Sequence, residues 1–212
     1  MKDLKMKDRI LELSLNDLVK KHGCHTVILY GSRSRGNWTD ESDYDIMGFR
    51  DQGHKFRDAR LIEGKYLDAF VYPVQDVTGH EEDFLRIRQG TVMLEKDGFG
   101  TALLLKLDQL FAAGPKQLPD DELQTIRVWI GKMLARIAKG DLEGNYRRAW
   151  LQYDLIESYF ALRKKWYLGP KEGFRWLAEN DSDALVLFDR ALKPNSELVD
   201  LKHLAEKVLT AE

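Results

Sequence analysis

Residues 26–49 read TVILYGSRSRGNWTDESDYDIMGF, and the reading of this stretch decides the fold. Thr26-Val27-Ile28-Leu29-Tyr30 is a short apolar run of strand formers, stopped by Gly31. From Gly31 to Ser42 the chain is rich in Gly, Ser, Asn and Asp, the chemistry of a loop leading into a short helical turn. Asp43 to Phe49 then reads as a second strand. Side chains alternate along a strand, so Asp43 and Asp45 would stand side by side on one face. Two carboxylates so close repel unless a cation lies between them, and hard oxygen ligands suit Mg²⁺. The pattern also allows Asp43 to cap the preceding loop, leaving Asp45 alone in the strand.

Working outward, residues before Gly23 form an amphipathic helix with Leu4, Leu11, Leu15, Leu18 and Val19 near one face. Ala59 to Ile62 and Lys65 to Tyr72 are two more strands, joined by a hairpin-type turn at Glu63-Gly64 and stopped by Pro73. Helices are expected over residues 75–88 and 100–113. Gly114, Pro115 and Pro119 mark the boundary, so residues 1–114 and 115–212 are read as two domains. Beyond it the periodicity is helical over residues 120–138, 143–167, 171–179, 182–192 and 197–209. Strands first and helices later give an α+β class: a small mixed sheet with flanking helices, then an all-helical bundle.

With 212 residues and 43% hydrophobic side chains the chain can bury a real core. A formal net charge of -2 offers no general attraction to a polyanion, which disfavours broad nucleic-acid binding. The single cysteine, Cys24, excludes an internal disulfide and a cysteine zinc site, and reads as a small buried hydrophobe. The charged beginning of the chain lacks the apolar core of a signal peptide, and no run approaches the ~18 apolar residues of a membrane span. The expectation is a cytoplasmic protein without membrane partners.

Three pieces carry the chemistry. Gly31-Ser32-Arg33-Ser34-Arg35-Gly36 follows a strand directly. Its glycine permits close backbone approach, its N–H groups and the hydroxyls of Ser32 or Ser34 can hold phosphate oxygens, and Arg33 and Arg35 add positive charge. Asp43 and Asp45 form the second piece. Asp68, a carboxylate inside the apolar strand Lys65 to Tyr72, is the third. Taken alone Asp68 would be solvent-facing. Beside the other two it could complete a three-carboxylate metal site.

Gly-Ser, a spacer, Asp-x-Asp and a third carboxylate on a later strand resemble the signature of the nucleotidyltransferase superfamily related to DNA polymerase beta. The resemblance covers about Val27 to Tyr72. It implies a nucleoside triphosphate donor, ATP above all, and Mg²⁺ or Mn²⁺ as cofactor. It implies that Gly31 and Ser32 contact the triphosphate, that Asp43, Asp45 and Asp68 are the catalytic, metal-binding carboxylates, and that paired cations clamp an in-line displacement with pyrophosphate leaving. The plan of a compact catalytic domain followed by helices also looks like the small antibiotic nucleotidyltransferases that modify aminoglycosides or lincosamides.

In the helical half, Tyr146, Trp150, Tyr153 and Phe160 fall on one face of the helix 143–167, with Glu157 inside that face and Asp154 at its rim. That face is either bundle core or ligand pocket. Glu157 is a candidate general base, with an ion pair to Lys164 or to an arginine as the alternative. Arg147, Arg148, Lys164, Lys165 and Lys171 are candidates to grip the triphosphate, and the histidines show no metal-ligand spacing. The expected activity is Mg²⁺-dependent transfer of a nucleoside monophosphate to a hydroxyl of a small molecule, such as an antibiotic. Two alternatives stay open: adenylylation of a protein partner, and an inert nucleotide-binding module. A homodimer that completes the site across its axis is compatible with all three.

Overall fold

The structure is a computed structural model that describes residues 8–210. They form two compact units, divided between Ala113 and Gly114. The first unit holds α1 (Arg9–Lys20), β1 (Thr26–Tyr30), the short α2 (Gly31–Arg35), β2 (Tyr44–Arg50), β3 (Phe56–Ile62), β4 (Lys65–Pro73), β5 (Thr91–Leu94) and α3 (Phe99–Ala113). Two 3₁₀ segments, Val74–Asp76 and Glu81–Ile87, separate β4 from β5.

The five strands make one sheet in the order β3-β4-β2-β1-β5, with β2 and β4 parallel and the other neighbours antiparallel. One face carries Val27, Leu29, Tyr44, Ile46, Leu67, Ala69 and Val71 and packs against Leu11 and Leu18 of α1. Asp8 caps that helix through the Leu11 N–H and also accepts from the Tyr44 hydroxyl, so the residue between the two aspartates anchors the opposite face. The other face is covered by aromatic contacts of Phe49 with Phe84 and Phe99, and of Tyr72 with Phe84.

The second unit contains α4 (Asp120–Ile137), α5 (Leu142–Leu162), α6 (Pro170–Asn180), α7 (Ser182–Ala191) and α8 (Leu198–Leu209). Its core gathers Ile130, Met133, Leu151, Leu155, Tyr159, Phe160, Leu177, Phe188, Leu201 and Leu204. Asp141 caps α5 and Asp181 caps α7, and Glu197 with Asp200 forms a capping box on α8. The chain is therefore an α+β protein with a mixed five-stranded sheet flanked by helices, followed by an all-helical region. No helix among the described residues is long and apolar enough to cross a membrane.

Several elements differ from their sequence expectation. The helix expected over residues 75–88 is two 3₁₀ segments, because Gly79 at φ 84° breaks the run. Phe84, Leu85 and Ile87 are all buried, Phe84 against the rings of Phe49 and Tyr72. Strand β5 was missed: it has four residues with no alternation of burial, and only its pairing with β1 makes it a strand. Helix α5 ends at Leu162 rather than near Tyr167, since Lys164 takes a left-handed conformation at φ 54°. Leu4 lies outside the described residues, and Val19 is exposed rather than on the buried face of α1.

Candidate functional site

β2 pairs with β1 on one side and β4 on the other, and one row of residues crosses all three: Tyr30, Asp45 and Asp68. Ala59 of β3 extends the row. Residues in register point to the same side of a sheet, so Asp45 and Asp68 share a face with their backbones one strand spacing, ~4.8 Å, apart. Asp43 is placed differently from the strand expectation. It immediately precedes β2 and is exposed, and β1 ends at Tyr30, opposite Asp45, so Asp43 has no partner on that side. The three carboxylates still act on one another. Burial pushes the Asp45 carboxyl above the ordinary aspartate range, Asp43 and Asp68 push it further, and Arg86 and Arg35 oppose them.

Gly31 is bound into the same arrangement. It lies at φ 73°, and a Cβ built on it would stand 2.2 Å from Asp45 Oδ2. The Asp45 carboxylate therefore occupies the space that any side chain at position 31 would need. Ser32 follows it, buried at the start of α2. Ser34 is engaged elsewhere, with Oγ donating to the Gln89 carbonyl at 3.2 Å and 3.0 Å from Thr91 Oγ1.

The arginines divide. Arg33, expected to face a phosphate, braces the loop instead: its guanidinium donates to the carbonyls of Ser42 and Asp43 and stacks 3.7 Å from the Tyr44 ring centre. Arg33 thus supplies a donor to both carbonyls of the loop end that leads into the Asp pair. Arg35 acts electrostatically on Asp45. Two further arginines were not foreseen. Arg86, on the second 3₁₀ segment, stands 4.4 Å from the Phe70 ring centre and 5.9 Å from that of Tyr30. Arg57, on β3, forms a two-point ion pair with Asp68. No sequence signal marks either one, since a 3₁₀ spacing brings in the first and strand register the second.

The donor set suits a hard divalent cation: three carboxylates that repel one another, with Asp45 seated against a glycine. Among the described residues no three His, Cys, Asp or Glu side chains already form a metal-holding group. Asp68 has both oxygens turned to Arg57.

Glu157 belongs to the second unit and is exposed, as are Tyr146, Trp150 and Tyr153. Of the expected aromatic face only Phe160 is buried, because the core side of α5 runs through Leu151, Leu155, Ile156 and Tyr159. Glu157 is thus not enclosed by rings. Lys164 turns to Gln117 and not to Glu157. Arg147 pairs with Glu143, and Arg148 holds Ser196, so both brace the helical unit.

No protein-family model matches the chain, and no curated protein does. Among solved structures, one of a nucleotidyltransferase-like protein from Exiguobacterium sibiricum 255-15 is similar at 13% identity, covering 92% of this chain and 74% of that one, with a TM-score of 0.41. So remote a likeness is no guide to activity, and the functional argument rests on the arrangement of Gly31, Asp43, Asp45 and Asp68.

Proposed function

We propose that the protein is a divalent-metal-dependent nucleotidyltransferase that moves a nucleoside monophosphate, AMP from ATP, onto a hydroxyl of a small molecule. The observation that carries this reading is the register that sets Asp45 beside Asp68 on one face, at the sheet end where Gly31 turns the chain. Asp43, Asp45 and Asp68 would hold Mg²⁺ or Mn²⁺. A cation bound there supplies charge neutralisation for the triphosphate and for the attacking and leaving oxygens.

The rest falls to the chain. The glycine turn lets backbone N–H groups and the Ser32 hydroxyl approach the phosphates, with Arg35 adding charge. The acceptor oxygen attacks the α-phosphorus, the bond from that phosphorus to the bridging oxygen breaks, and pyrophosphate leaves. The acceptor proton passes to a carboxylate, Asp68 being the one at the site. Orientation and electrostatics provide most of the rate.

The test uses labelled ATP, Mg²⁺ and a panel of hydroxylated small molecules with antibiotics included, read by mass spectrometry. An acceptor gaining the mass of a nucleoside monophosphate supports the reading. Replacing Asp43 and Asp45 together with Asn should abolish transfer, by at least about a hundredfold, while the circular dichroism spectrum stays unchanged. Full activity in a folded double variant would end the metal-site assignment.

A further inference from the structure

Arg57 leaves the edge strand β3 and lays its guanidinium along Asp68, with Nε donating to Oδ1 at 2.7 Å and Nη2 to Oδ2 at 3.1 Å. The two are not register partners: Asp68 faces Ala59, and Arg57 faces Phe70. The guanidinium reaches diagonally along the sheet, 5.0 Å from the Phe70 ring centre. The fork takes both carboxylate oxygens at once, the same oxygens a divalent cation needs. Its two ends are unequally held. The Asp68 side chain is 26% exposed, whereas that of Arg57 is 57% exposed on the edge strand of the sheet as described. Arg57 also lines a cavity of about 380 Å³ with Asp43, Arg60, Leu61 and Tyr66, so the guanidinium has room to move aside.

We propose that Arg57 is the counter-ion of the metal-free site, competing with the divalent cation for Asp68, and that metal binding requires the guanidinium to let go. This rests on the metal-site reading above. An exposed ion pair contributes little, so a divalent ion can displace it, yet while intact it lowers the apparent affinity for metal. Arg57 is thereby a positioning residue: it keeps Asp68 aimed along the sheet face while no cation is present.

The experiment titrates the full chain with Mn²⁺ alone, following the free ion by electron paramagnetic resonance. Arg57→Gln should bind Mn²⁺ about fivefold tighter than the wild type. Arg60→Gln, which removes an equal charge from the same cavity wall, should gain less than about twofold. In an Asp68→Asn background the Arg57→Gln gain should vanish, because no carboxylate remains to be released. Unchanged or weaker binding in Arg57→Gln, an equal gain in Arg60→Gln, or a gain that survives Asp68→Asn overturns the proposal. Mn²⁺ binding that is lost in Asp45→Asn but indifferent to Arg57 overturns this inference alone. Absence of binding in every variant overturns the metal site and the inference with it. A second readout uses the wild type only: the Arg57 Nε–H resonance should shift on saturation with Mg²⁺, and a resonance that stays in place under saturation sinks the proposal.

Discussion

Gly31 and Gly36 share a left-handed backbone, at φ 73° and 74°, but only the first has a neighbour where a side chain would go. At Gly36 the space is open, so Gly36→Ala should cost about 1 kcal/mol, the conformational penalty alone. At Gly31 the added carbon would meet Asp45 Oδ2, so Gly31→Ala should cost roughly 2–3 kcal/mol and displace the carboxylate. Urea midpoints of the two variants measure the difference, and equal losses would mean that Asp45 does not sit against Gly31. Transfer activity should fall in Gly31→Ala and persist in Gly36→Ala. The same scale holds what sequence reading missed. Gly31, Asp45 and Asp68 announce themselves as unusual residues in strand or turn contexts. Arg57 and Arg86 do not, since a solvated arginine and one aimed at a carboxylate look alike in one dimension.

At the scale of elements, β1, β2 and β4 were found close to their observed bounds, while β3, which begins at Phe56 rather than Ala59, β5, α5 and the segment after β4 were not. Apolar runs ended by Gly or Pro specify a strand locally. A 3₁₀ segment needs the sheet beneath it before its burial pattern has meaning. In the helical unit, Asp181 joins three elements: it caps α7 through the Ala184 N–H and accepts from the Tyr159 hydroxyl of α5 at 2.7 Å. It also pairs with Lys207 of α8 at 3.1 Å. Burial works against its charge, but these partners prevail and hold its carboxyl below the ordinary value of 3.8. A depressed carboxylate stabilises the fold above its unfolded pKa and loses that contribution as pH falls through the folded one. Asp181→Asn should therefore be less stable than wild type at pH 7, by about 1–2 kcal/mol, with the gap closing below about pH 4. Thermal midpoints across pH 2.5–7 give the comparison, and a gap independent of pH would show that the charge contributes nothing.

For the whole molecule, the described chain divides between Ala113 and Gly114, and residues 114–119 carry neither helix nor strand. Lys116 is the one trypsin-sensitive position in that segment. Brief trypsin treatment should cut first after Lys116, giving fragments of residues 1–116 and 117–212, because proteases need locally unfolded backbone. First cleavage within a helix of either unit, seen by intact-mass spectrometry, would show that the segment is better protected than its lack of regular structure implies.

What the amino-acid order determined by itself was local: a turn at Gly31, strands on either side of it, a carboxylate inside an apolar strand, and a switch to helical periodicity after Pro119. These depend on backbone propensity and side-chain alternation within a few residues. What tertiary structure decided was register and direction. Parallel pairing of β2 with β4 set Asp45 beside Asp68, the end of β1 left Asp43 outside the strand, and the diagonal reach from β3 gave Asp68 to Arg57. α5 turned its aromatic residues outward. A shift of one residue in the pairing of β2, β3 or β4 would send Asp45, Arg57 or Asp68 to the opposite face, and only the packed cores on both sides of the sheet select among such registers.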